Sequence, residues 1–212
     1  MKARNSDICV ICGKNPSIGR DHIPPQSIFP KPRPNDLITI PACDQCNNKR
    51  SGLDEKFKVF IGINAGHGSE GERLFRDQTT KTLEHNRKLR RQIASTMREV
   101  EVKTPVGLIL GTTSAVLLDS NAYDTVIDRI IRGLHFHHTG HILGDNVYIN
   151  VHWYRKLTKK IYEMTNGWPT GVVGCGQFIY KYVVFDEEPL GSVWVFQFFN
   201  RAWSGGTVLP KK

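Results

Sequence analysis

Hydrophobic and polar positions along the chain alternate between strand-like and helix-like spacing. Residues 18–23 and 36–40 have the composition of short strands, and the prolines in the loop between them, at 30–34, exclude a helical connection. Residues 44–50 are predicted to form a short helix, and Ser51 begins a segment whose capping-box spacing predicts a second helix. The N-terminal segment is therefore predicted to be a β-hairpin followed by helices.

A second region has longer elements. Residues 72–100 carry a narrow hydrophobic stripe that predicts one long helix, and residues 121–134 have apolar side chains at helical spacing. Hydrophobic residues alternate over 146–153, and the aromatic-rich segments 177–185 and 192–199 are predicted strands. The prediction is an α+β fold with an antiparallel sheet in the C-terminal region.

The division between the two regions is predicted at residues 62–71, which are rich in glycine and small polar side chains. We therefore expect an N-terminal module over 1–63 and a C-terminal recognition or assembly domain over 72–212. The N-terminus is polar and the longest apolar runs are too short to span a bilayer, so we expect a soluble, cytoplasmic protein with no membrane partner.

The formal net charge is +9 and the isoelectric point is about 9.4. A basic protein favours polyanionic partners, because each Lys or Arg that neutralises a phosphate releases counterions. The excess of basic residues lies in the N-terminal half of the chain. Charge alone leaves two interpretations open, a nucleic-acid partner and a solvated basic surface.

Four of the five cysteines form two CxxC pairs, Cys9 with Cys12 and Cys43 with Cys46. A two-residue gap lets both thiolates of a pair reach one tetrahedral zinc ion, so the sequence predicts a structural zinc site. Two pairs of reduced thiols are the alternative. The fifth, Cys175, stands in a glycine-rich segment and is predicted to be a small buried residue.

An acid and an imidazole, Asp21 and His22, stand side by side between the cysteine pairs. With the flanking motifs they resemble the HNH endonuclease family over about residues 8–61. The resemblance implies a zinc-braced, treble-clef-like ββα-metal module. It is carried by Cys9, Cys12, Asp21-His22-Ile23-Pro24-Pro25, Asn35, Leu37, Cys43, Cys46, Asn47 and Arg50.

The same resemblance implies roles for four residues. Asp21 and Asn47 would hold a catalytic Mg²⁺ or Mn²⁺, since carboxylate and amide oxygens suit such hard cations. His22 would act as the general base that deprotonates the attacking water, and Asn35 would orient His22 or hold its loop. The predicted activity is metal-dependent hydrolysis of DNA phosphodiester bonds.

Basic residues near the module and on the predicted long helix are candidates for phosphate contacts. Lys49 and Arg50 follow the second cysteine pair, and a basic stripe lies on the helix at Arg87, Lys88, Arg90 and Arg91. DNA is the expected partner, together with a second copy of the chain or a regulatory protein. A solvated face is the simpler reading of the stripe.

Two other functions remain as alternatives. A zinc-knuckle protein that binds nucleic acid without cutting it would have no need for the set of Asp21, His22 and Asn47. A nuclease that cuts RNA would use the same residues, and nothing in the sequence separates it from one that cuts DNA.

Four histidines lie close together at 135, 137, 138 and 141. They could form a second metal site or contact a partner, but packing at a helix end is expected because no Cys, Asp or Glu lies among them. The four tryptophans are expected to be core residues rather than platforms for stacked bases.

Overall fold

The computed structural model describes residues 4–47, 51–65, 68–117 and 119–211. Within these residues the chain forms seven α-helices and nine strands, and every sheet is antiparallel. The predicted α+β class is thereby confirmed. No helix in the described ranges has the length and apolar character needed to cross a membrane.

The N-terminal part is a β-hairpin followed by helices. Strand β1 spans Gly19–Ile23 and pairs with β2, Ile38–Ala42, in a register that sets His22 opposite Thr39. Strand β2 starts two residues later than predicted. Helix α1 covers Asp44–Asn47, and the rest of that predicted helix, 48–50, lies outside the described residues.

The predicted linker at 62–71 is largely helical in the structure. Helix α2 spans Ser51–Asn64 and helix α3 begins at Ser69. The packing faces of α2 explain why it continues: Phe57 and Ile61 lie in the main core, and Val59 packs with Leu89 and Ile93 in a smaller cluster. Burial of these side chains outweighs the low helix propensity of the glycine in the last turn.

The prediction of one long helix over 72–100 is wrong. Helix α3 (Ser69–Leu74) runs through a π-helical turn into α4 (Thr80–His85), but Asn86 separates α4 from α5 (Arg87–Thr96). The Asn86 side chain accepts a hydrogen bond from the Leu89 N–H at 2.9 Å, so it caps the new helix. A side chain that bonds its own backbone competes with helix continuation, which explains the break.

A hairpin that the sequence analysis missed follows α5. Strand β3 spans Arg98–Lys103 and pairs with β4, Ile109–Ala115. Two valines, Val100 and Val102, alternate with glutamates, which is a strand pattern that the assumed helix had concealed. Val100 is therefore exposed on a strand instead of buried in a helix stripe.

The C-terminal part is built on one long helix and a five-stranded sheet with the order β5-β9-β8-β7-β6. Three of these strands confirm the predicted segments, while β6 and β9 were not predicted because glycines and small residues weaken their patterns. The elements are α6 (Ser120–Thr139), β5 (Val147–Tyr154), α7 (Lys159–Met164), β6 (Thr170–Val173), β7 (Phe178–Phe185), β8 (Glu188–Phe198) and β9 (Ala202–Pro210).

Helix α6 lies between the N-terminal hairpin and the sheet. A Cβ at Gly133 would come within 2.5 Å of Ile23 Cγ1, so the hairpin packs directly on the helix at a position that only glycine allows. On the opposite side, a Cβ at Gly206 of β9 would lie 2.5 Å from Ile131 Cδ1. The buried side chains of the two predicted domains consequently belong to one hydrophobic cluster.

Candidate metal centre and active-site cavity

Four cysteine sulfurs converge beside the hairpin. The Sγ atoms of Cys9, Cys12, Cys43 and Cys46 all lie within 4.8 Å of one another. Cys43 follows β2 directly and Cys46 lies in α1. The predicted pairing of the two CxxC motifs into one potential zinc site is therefore confirmed in its geometry, and the residues fit a tetrahedral thiolate site.

Backbone hydrogen bonds shape each half of the cysteine cluster. The Gly13 N–H donates to the Cys9 carbonyl at 2.8 Å, and Gly13 has a φ of +66°, which favours glycine. In the second half, the Cys46 and Asn47 N–H groups both donate to the Cys43 carbonyl, at 3.2 and 3.0 Å. These tight turns aim both sulfurs of each pair in one direction.

The electrostatics of the cluster favour a bound cation. Burial raises the pKa of Cys9, and burial together with the neighbouring sulfurs raises the pKa of Cys46. Burial also acts on Cys43, but hydrogen bonds from the Cys46 backbone and the Asn15 side chain outweigh it and lower its pKa to about 7. A divalent cation would relieve the repulsion among four thiolates, and its binding would release protons.

A cavity of about 700 Å³ opens next to this cluster. Asp21 and His22 enter it from β1 and Asn47 enters it from α1, so the structure brings together three residues that the sequence singled out. The cavity is polar and carries both acidic and basic groups. Its lining comprises Arg20, Asp21, His22, Pro25, Gln26, Ser27, Arg33, Asn47, Gly52, Asp54, Glu55 and Lys58.

His22 is suited to accept a proton. Its burial and the nearby Arg33 guanidinium lower its pKa below the usual value, so the imidazole is neutral at pH 7. The backbone N–H of His22 donates a hydrogen bond to Asp21 Oδ1 at 2.8 Å, which fixes the backbone between the two side chains. The adjacent acid therefore positions this strand end without bonding to the ring itself.

Asp21 is only 6% exposed and lies against a buried arginine from the C-terminal half. Arg129 of α6 is 1% exposed, and its Nε is 3.5 Å from Asp21 Oδ2. The same guanidinium makes a close ion pair with Asp54 of α2. Arg129 thus connects three elements, β1, α2 and α6, through two acidic residues that line the cavity.

Helix α2 supplies further cavity residues that the sequence analysis missed. Asp54, Glu55 and Lys58 lie within one turn of each other and line the cavity. Lys58 is half-buried, and this burial lowers the pKa of its amine although Glu55 opposes the effect. The sequence signal that could have identified these residues is the polar face of the predicted helix that follows the second cysteine pair.

Asn47 and Asp21 offer oxygen atoms of the type that Mg²⁺ prefers. The amide nitrogen of Asn47 donates to the Arg20 carbonyl at 3.2 Å, which leaves the amide oxygen as its second polar atom. Over the described ranges, only the four cysteines form a cluster of three or more His, Cys, Asp or Glu ligands.

Asn35, predicted to orient His22, lies elsewhere. It lines a second cavity together with His137 and Tyr180 and does not line the cavity of His22. Its neighbour Asp36 accepts hydrogen bonds from the Gly174 N–H, so this loop faces the five-stranded sheet. Asn35 therefore does not line the cavity of His22, although Arg33 of the same loop does, and its predicted role stays a prediction.

The basic stripe approaches the cavity at one residue. Lys88 lines a neighbouring cavity of about 360 Å³ that shares Gly52 and Glu55 with the first. The Asn86 amide donates to Glu55 Oε2 at 2.8 Å and ties the start of α5 to α2. Arg87, Arg90 and Arg91 are exposed on α5, whereas Lys49 and Arg50 lie outside the described residues.

The histidine cluster packs at the end of α6, as expected. His135 is buried with Nδ1 3.2 Å from Ser192 Oγ, and His138 stacks on Tyr182 with ring centroids 4.2 Å apart. Trp194 is also buried beside these rings. Cys175, by contrast, is exposed in a turn with a φ of 52°, so its predicted burial is wrong.

Comparison with models of known protein families, with curated proteins and with solved structures gave no match. The function is accordingly argued from the cysteine cluster and the cavity beside it.

Proposed function

We propose that the chain is a metal-dependent endonuclease of the HNH type that hydrolyses phosphodiester bonds of DNA. The observation that carries the proposal is the convergence of Asp21, His22 and Asn47 in one polar cavity beside the four-cysteine cluster. A purely structural hairpin would have no need to place a neutral imidazole, a buried carboxylate and an amide around an open cavity.

His22 acts as the general base. Its neutral imidazole takes a proton from a water molecule, whose oxygen attacks phosphorus while the bond from phosphorus to the leaving oxygen breaks. Asp21 and Asn47 would hold a Mg²⁺ or Mn²⁺ ion, which would supply Lewis-acid stabilisation of the negative charge on the phosphate oxygens. The Asp21 carboxylate is kept in place by Arg129 and by the His22 N–H.

Positive groups around the cavity match a phosphate substrate. Arg20, Arg33 and Lys58 line its wall, and Lys88 continues the positive charge into the neighbouring cavity. Such groups attract and position a polyanion, and they offset charge that builds up on phosphorus oxygens. The net charge of +9 agrees with this assignment.

The zinc ion has a structural role in this proposal. The four sulfurs supply all the ligands of a tetrahedral site, which leaves no open position for a substrate. The first cysteine loop is fixed to β2 by the hydrogen bond from the Val10 N–H to the Pro41 carbonyl at 3.0 Å. Zinc therefore braces the hairpin that carries Asp21 and His22.

Cleavage of supercoiled plasmid DNA with and without Mg²⁺ or Mn²⁺ tests the proposal. We expect metal-dependent nicking or linearisation by the wild type, and loss of it in Asp21→Ala, which added Mn²⁺ restores in part. The exposed His152 provides a matched control, because His152→Ala should cut at the wild-type rate. Binding of DNA without cleavage in either metal would favour a zinc-knuckle protein that binds nucleic acid without cutting it. Cleavage of RNA alone would favour a nuclease that acts on RNA.

A further inference from the structure

The hairpin of β3 and β4 stands out because nothing in the described part of the chain covers it. All residues of both strands are exposed, and Val106 at the tip is 90% exposed. An isolated two-stranded hairpin is marginally stable in water, and a large exposed apolar patch marks an interaction surface. The apolar residues are Val100, Val102, Val106, Leu108, Ile109 and Leu110.

The two open edges of this hairpin differ in charge. Strand β3 contains Arg98, Glu99, Glu101 and Lys103, and charged side chains of this kind protect an edge from pairing. Strand β4, with the sequence ILGTTSA, has neither a charge nor a proline. Its outer edge therefore lacks the charges and prolines that protect other edges, and its one register irregularity, at Leu110, lies near the start of the strand.

We propose that the β4 edges of two copies of the chain pair antiparallel about a two-fold axis and form a four-stranded sheet in the order β3-β4-β4-β3. An axis through Thr112 sets Thr112 opposite itself and Gly111 opposite Thr113 of the second copy, on the regular part of the strand. Every pair formed in this register is uncharged, so the strand is complementary to itself.

The charge of the hairpin favours a second copy over other occupants. Residues 98–115 carry two acidic and two basic side chains, so the hairpin has no net positive charge to offer a phosphate backbone. Four basic residues lie instead on α5, and Arg20, Arg33 and Lys58 line the cavity. Symmetric pairing also places each two-stranded hairpin in a four-stranded sheet, which is more stable than an isolated hairpin.

Sedimentation analysis of the zinc-containing protein at tens of micromolar, without DNA and without added Mg²⁺ or Mn²⁺, tests this pairing separately from the nuclease proposal. The wild type should sediment at about twice the chain mass of 24.0 kDa. Thr112→Lys should be monomeric, because the axis places two lysines directly opposite each other. Within one hairpin this lysine faces Glu101, so the monomer should stay folded.

Val100→Lys on β3 is the matched control and should remain dimeric, since β3 is the outer strand of the proposed sheet. Disulfide crosslinking tests the same pairing without disrupting the dimer. In a Cys175→Ser background, Thr112→Cys should crosslink two copies on oxidation, whereas Val100→Cys should not. A monomeric wild type, a dimeric Thr112→Lys variant or a dimer broken only by Val100→Lys would each overturn the pairing.

Discussion

Arg129 gives the sharpest stability prediction, because it is a buried charge shared by two acidic residues. Replacing it with methionine keeps a long apolar side chain but removes both ion pairs. Asp21, with its side chain 9% exposed, and Asp54, with its side chain 21% exposed, then lose their shared counter-charge. Breaking a buried ion pair by removing one partner costs about 3–5 kcal/mol, so we expect a loss near the lower end because water reaches Asp54.

Urea unfolding at pH 7 measures this loss. A domain of this size has a free energy of unfolding of roughly 5–15 kcal/mol, so a loss of about 3 kcal/mol would move the midpoint visibly. Arg76→Met is the control, since Arg76 pairs with Asp77 at the surface and should contribute about 0–1 kcal/mol. Adding Asp54→Asn to Arg129→Met should recover part of the stability, because one uncompensated charge is removed.

The refuting result would be an Arg129→Met variant no less stable than Arg76→Met, or a double variant that is less stable than the sum of its single changes. Either outcome would mean that the ion pairs of Arg129 with Asp21 and Asp54 do not stabilise the fold. The same variant should also lower DNA cleavage, because Asp21 loses the contact that positions it.

Three further predictions concern the metal, the histidines and the basic helix. Elemental analysis should find about one zinc ion per chain, and Cys46→Ser should lose the zinc together with the amide exchange protection of β1 and β2; a zinc-free, fully protected hairpin would contradict this. Burial lowers the pKa of His135 to about 4, whereas an unfolded histidine titrates near 6.5. Between these values the unfolded chain binds more protons, so stability should fall as pH decreases from about 6.5 to 4, and His135→Gln should flatten that slope. Replacing the four stripe residues with alanine should weaken binding to unrelated DNA sequences about equally and reduce the salt dependence of binding; the four are Arg87, Lys88, Arg90 and Arg91. An unchanged salt slope would make the stripe a solvated face.

The cysteine cluster and the three central cavity residues could be predicted from the sequence because they are local in the chain or tied to a short motif. The spacing of Cys9 and Cys12 is set by one turn, and Asp21 is next to His22. Asn47 follows the second pair directly. Short-range geometry of this kind does not depend on the rest of the fold.

The remaining features depend on long-range packing. Arg129 reaches Asp21 because the glycine at 133 lets α6 pack directly on the hairpin. A charge inside the apolar stripe of a predicted helix was the signal that could have revealed it. The placement of Asn35 beside a second cavity depends on packing of the same kind, since its neighbour Asp36 is bonded to Gly174, more than a hundred positions away.

The helix over 72–100 failed for a local reason. A stripe of spaced apolar residues fits both one long helix and a helix followed by a strand, and the capping side chain of Asn86 decides between them. The alternating valines after Met97 were the signal for the strand.

Single-turnover cleavage by His22→Ala, measured together with DNA affinity, tests the central claim most directly. The substitution removes the proton acceptor and leaves the cysteine cluster, Asp21 and Asn47 in place. General-base catalysis contributes about 10² to 10⁴ in rate, so cleavage should fall by roughly that factor while affinity stays within a few-fold of the wild type. A His22→Ala protein that cuts DNA at the wild-type rate would contradict the proposed mechanism.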